Sequence, residues 1–147
     1  MKTRKSLLII GMALVTSFAF SQKKEIKQAE RAIKSNKYTE ALSILDQAEP
    51  LVSSADDATK AQYYVLRAKA LGTSVGATPD QLTSAAEAMS QAISFRKKVE
   101  DDEQETIHAI RAGLINSAVR DQNAGRNEED ANKLITSFNL TKEPSDL

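Results

Sequence analysis

One spacing recurs three times along the chain and constrains it more than any other feature. It reads Ala41, Leu45, Ala48, then Ala85, Met89, Ala92, then Ala131, Ile135, Phe138, at intervals of 44 and 46 residues. Steps of four and then three keep side chains on one face of an α-helix. A small residue in such a stripe lets a second helix approach closely, and the larger one fills the groove beside it. The pattern predicts helices paired in tandem, with Ala41, Ala85 and Ala131 as equivalent seats where the rods touch.

The residues between these stripes agree with that reading. From Gln22 onward the chain is rich in Ala, Leu, Glu, Lys and Gln, all strong helix formers. No stretch alternates apolar and polar residues in the manner of a strand. Six helical segments are expected. The first spans about Lys24–Ser35 with Ile26, Ala29 and Ile33 on one face, and Asn36 ends it in the left-handed conformation. The second spans about Tyr38–Val52; Pro50 should stop or kink it near Glu49, because its ring clashes with the carbonyl of Asp46. The third follows Ser54-Ala55-Asp56-Asp57, and Gly72–Ala77 makes the clearest break in the chain. Thr78-Pro79-Asp80-Gln81 then has Thr at the N-cap, Pro at N1 and Gln at N3, a capping-box start for a helix reaching about Val99. The fifth opens at Asp101 and carries Ile107, Ile110, Leu114 and Ala118, with Gly125 at its turn. Asn127 caps the sixth. Short connections between helices of this length imply antiparallel neighbours.

The amino terminus has a different character. Lys2, Arg4 and Lys5 precede an apolar run from Leu7 to Phe20, and Ala19-Phe20-Ser21 offers small residues for a cut before Gln22. This is the layout of a secretory signal peptide over residues 1–21. The run has 14 residues, short of the ~20 a membrane span needs, so no stable span is expected once it is removed. The whole chain has 20 basic and 20 acidic residues. Loss of the leader takes three basic ones and leaves an exported product with a small acidic excess. Such a chain is not built for nucleic acid, which calls for a basic stripe. With no Cys in the sequence, disulfides, thiolate metal sites and cysteine catalysis are excluded.

Asn36-Lys37-Tyr38-Thr39-Glu40-Ala41-Leu42, continuing to Leu45 and Ala48, resembles the second half of a tetratricopeptide repeat. Tyr64, Ala68 and Leu71 resemble the aromatic, small and large positions of such a repeat's first helix, and Asn127–Phe138 with Pro144 resembles another second half. The likeness covers about Gln22–Pro144 and is similar to the N-terminal part of exported repeat proteins of Gram-negative envelopes. It implies an all-α fold of about three tandem antiparallel hairpins over residues 22–147, located in the periplasm or cell envelope. The family period is about 34 residues, and the 44 and 46 seen here lie nearer the HEAT and armadillo range. Longer connections at Gly72–Thr78 and Glu100–Glu105 account for the excess. Glu25 stands where the family has an aromatic residue. Another α-hairpin array or a helical bundle is the alternative.

The residues offer no catalytic constellation. His108 is the single histidine, so neither a histidine metal pair nor a His-based nucleophilic dyad can form. Asp101, Asp102, Glu103 and Glu105 lack the loop pattern of a calcium site and suit the positive end of a helix dipole. There is no Gly-rich phosphate loop. No enzyme activity, metal or cofactor is expected, and function falls to the surface.

By the resemblance, Ile26, Glu30, Ile33 and Lys34 line a concave groove with Gln62, Val65 and Lys69, and with Asn116, Arg120 and Asn123 from the third hairpin. Lys34, Lys69 and Arg120 would make that groove suit a carboxylate-bearing peptide; ordinary solvated charges are the plainer reading. Leu134, Ile135 and Phe138 form a second candidate, an apolar face at the open end of the stack. The expected role is therefore a scaffold binding a protein or peptide partner. The alternative is a structural envelope component that associates with itself.

Overall fold

The computed structural model describes residues 23–96 and 101–139, apart from the side chains at 101, 102, 127, 129, 130, 137 and 138. The expected leader, residues 1–21, lies outside these. Every regular element among the described residues is helical. Helix α1 covers residues 23–34. It is followed by α2 (Tyr38–Val52), α3 (Asp57–Gly72), α4 (Pro79–Phe95), α5 (Asp101–Asn123) and α6 (Asn127–Asn139).

The local signals explain most of the boundaries. Asn36 takes a positive φ of 58°. The amide of Lys37 donates to Ala32 O and that of Asn36 to Ile33 O, which satisfies the carbonyls left open at the end of α1. Gly125 (φ 76°) does the same for α5, with Arg126 N donating to Asp121 O and Gly125 N to Gln122 O. At α4 the capping box forms in full: Gln81 N donates to Thr78 Oγ1 at 3.2 Å, and Thr78 N to Gln81 Oε1 at 2.9 Å. Asp56 caps α3 by accepting from Thr59 N at 2.7 Å. That bond holds its carboxyl below the usual aspartate range.

Pro50 neither stops α2 nor ends it at Glu49, since the helix runs on to Val52. The proline stands in the last turn, where its missing N–H removes one hydrogen bond and little helix remains to be broken.

Packing follows the order of the chain. Among α2 to α6, the substantial contacts join helices that are adjacent or next but one in sequence. Ala41 is fully buried beside Ala32 of α1 and Ala70 of α3. Leu45, Ala48 and Val52 pack with Ile26 and Ala29 on one side and Tyr63 and Leu66 on the other. Ala85, Met89 and Ala92 of α4 meet Val65 and Ala68 of α3 and Ile107, Ile110 and Leu114 of α5. Each of these stripes is thus shared between the helix before it and the helix after it. Arg67 ties α3 to α2, donating to Asp46 at 2.7 Å and to the Tyr63 hydroxyl at 3.2 Å.

The third seat is a correction. Ala131 is exposed, and so are Leu134 (43%) and Ile135 (58%). The helix turns a different side toward α5: Lys133 is largely covered and donates to the buried carboxylate of Asp121. At 100° per residue, Ala131, Leu134 and Ile135 lie 100–200° round α6 from Lys133. The side of α6 that meets α5 carries this ion pair, not the small-and-large stripe. Phe138 belongs to the stripe in sequence, but its side chain is outside the described set.

Candidate functional site

The elements that carry the expected groove stand side by side. Residues 23, 26, 27 and 30 of α1 share one side of the helix at i, i+3, i+4 and i+7, and residues 58, 59 and 62 of α3 likewise group on one side. Together with Arg96 just after α4, they bound an open trough of about 540 Å³. It continues into a narrower part of about 220 Å³ bounded by Glu30, Ile33, Lys34, Gln62, Val65, Leu66, Lys69, Arg96 and Glu103. Glu30, Gln62 and Arg96 border both parts.

Seven of the ten residues assigned to the groove therefore line one continuous depression: Ile26, Glu30, Ile33, Lys34, Gln62, Val65 and Lys69. Asn116, Arg120 and Asn123 do not. They are exposed on α5, on the side away from Ile110 and Leu114, and the resemblance is loosest where they were placed. Helix α5 enters the trough through Glu103 instead.

Glu103, one of the acids that suit the positive end of the α5 dipole, also borders the trough. It is 4% exposed and accepts from Arg96 Nη1 at 2.5 Å, so it braces the trough floor. The signal was present in the spacing. Glu103 stands four residues before Ile107 and seven before Ile110, on the buried stripe, and a buried carboxylate requires a partner. The single histidine, His108, is exposed on α5.

The trough carries more cations than anions. Lys23, Lys27, Lys34, Lys69 and Arg96 face Glu30, Asp56 and Glu103. All three carboxylates are engaged: Glu30 with Lys34 at 2.6 Å, Glu103 with Arg96, and Asp56 with the Thr59 amide. Ile26, Ile33, Val65 and Leu66 supply an apolar floor between the charges. Arranged this way, the surface can seat an extended chain with apolar side chains inward and acidic groups along the edge. Among the described residues no three metal-ligating side chains come together. No described helix is long and apolar enough to cross a membrane.

No family profile matches the chain, and neither the curated proteins nor the solved structures contain a significantly similar one.

Proposed function

We propose that the chain is an exported, tetratricopeptide-like scaffold whose α1–α3 trough binds an acidic, extended segment of another protein. One observation carries the reading: seven positions drawn from a repeat resemblance alone line one depression with a cationic excess. Support for tandem hairpins comes from the seats at Ala41 and Ala85, each buried between the helices before and after it. Recognition here is by shape and charge, with no covalent step. Affinity rests on apolar side chains entering the floor, and selectivity on lysines that repel basic segments.

Fluorescence anisotropy with labelled peptides tests it. A peptide alternating Glu with Leu should bind and weaken as salt rises, whereas its Lys–Leu counterpart should not bind. Lys34→Glu combined with Lys69→Glu should abolish binding while helicity is retained. Equal binding of both peptides, or no effect of the charge reversals, overturns the reading. Export is tested separately, by an envelope-fraction protein whose first residue is Gln22.

A further inference from the structure

We infer that the outward face of α1 is a docking surface for an anionic lipid bilayer, held by charge and without insertion. The inference is independent of the trough. The small acidic excess of the exported chain hides a segregation of charge. Residues 23–37 hold six basic and two acidic residues, whereas residues 38–147 hold eleven basic and eighteen acidic ones. The helix gathers the basic ones further. At 100° per residue, Lys23, Lys24, Lys27, Arg31 and Lys34 fall within about 100° of arc on α1, and all five are exposed. Lys23, Lys27 and Arg31 make a row at every fourth residue, about 12 Å long. Glu30, at the edge of the arc, is taken by Lys34 at 2.6 Å. Glu25 lies on the far side of the helix, with one carboxylate oxygen buried. Among the described residues no ion pair engages Lys24, Lys27 or Arg31.

A bilayer is favoured over a protein by what this face lacks. Every exposed side chain of α1 is charged or polar, Gln28 being the one without charge. The face therefore offers none of the apolar or aromatic anchors that centre a protein–protein contact. A ridge of separate cationic groups suits a planar array of lipid phosphates, where each added basic group strengthens the attraction. The acidic remainder of the chain is repelled by the same surface, which turns the molecule so that α1 faces the lipid. The chain also brings this face to a membrane, because the apolar run Leu7–Phe20 ends three residues before Lys23. No described helix is long and apolar enough to span a bilayer, so the contact is peripheral.

Vesicle co-sedimentation of the exported form, beginning at Gln22, tests this. The protein should pellet with phosphatidylcholine vesicles containing one-third phosphatidylglycerol, and not with phosphatidylcholine alone. Binding should vanish near 1 M salt, where the screening length is about 3 Å. Lys24→Glu combined with Arg31→Glu should weaken it at least about tenfold, with an unchanged circular dichroism spectrum. Arg120→Glu, at an exposed position on α5, should barely change it. Lys24 and Arg31 border neither part of the trough. The double variant should therefore still bind the Glu–Leu peptide, and the two readings fail separately. Equal pelleting with neutral vesicles, no pelleting at low salt, or full binding by the double variant overturns the inference. So does capture of a DNA duplex without capture of vesicles, which would assign the face to nucleic acid.

Discussion

Gly72 of α3 approaches Ile110 of α5 so closely that a β-carbon at position 72 would lie 2.5 Å from Ile110 Cγ1. Ile110 is fully buried and its Cγ1 is anchored next to the backbone, so the methyl has no room. Gly72→Ala should destabilise the protein by roughly 1–3 kcal/mol through overpacking, outweighing the ~1 kcal/mol that Ala gains over Gly in a helix. Gly113→Ala is the contrast. Its new methyl would meet the terminal methyls of Leu82 at 2.8 and 2.9 Å, and these can swing aside. Urea unfolding should rank the two variants in that order.

The alanine seats yield a sharper comparison. Ala41 and Ala85 have no exposed surface, whereas Ala131 is exposed. An indole at position 41 or 85 must push two helices apart, costing at least about 1–3 kcal/mol. At position 131 it meets solvent, and the change should stay within about 0.5 kcal/mol. Thermal melts of Ala41→Trp, Ala85→Trp and Ala131→Trp measure this directly. Equal losses at all three would restore the threefold repeat.

Thr78 accounts for the start of α4. Thr78→Ala removes the acceptor for the Gln81 amide and should cost about 1 kcal/mol. Thr78→Asn keeps an acceptor and should recover most of it. Chemical denaturation of the three proteins checks the ranking.

Acid should loosen the C-terminal hairpin. Asp121 is buried and accepts from Lys133, then from Arg126, and these bonds hold its carboxyl below the ordinary aspartate range. A carboxyl with a lowered folded pKa stabilises the fold above its unfolded value of about 3.9. That contribution is lost as pH falls through the folded value. Stability should therefore be flat with respect to this group above about pH 5 and decline below pH 4. Asp121→Asn should lower the neutral-pH melting temperature and flatten that acid limb. A limb unchanged by the substitution would mean that other carboxylates govern it.

The sequence was legible where one local interaction decides the outcome. Asn36 at a helix end, the Thr78–Gln81 box and the Gly125 turn each follow from chemistry within five residues. Ala41 and Ala85 were readable because small residues at helix contacts leave a periodic trace. The roll of α6 was not readable: the side that meets α5 carries Lys133, whose partner is a buried carboxylate on another helix. The stripe Ala131–Leu134–Ile135 reads as a core face, yet it lies outward, with the Asp121–Lys133 pair on the other side of the helix. The groove divides in the same way. Its α1 and α3 residues come from the repeat resemblance, and helical spacing keeps each set on one side of its helix. The burial of Glu103 is legible from its place on the Ile107–Ile110 stripe, but its pairing with Arg96 across the α4–α5 connection is a tertiary contact.

The account rests on the trough between α1 and α3 being the surface that meets a partner. Adding the Glu–Leu peptide to isotope-labelled protein and following methyl resonances tests that position by position. The account predicts that shifts concentrate at Ile26, Ile33, Val65 and Leu66, with Ile115, Leu134 and Ile135 unmoved. Shifts gathered on α5 and α6, or spread evenly over the molecule, would contradict it.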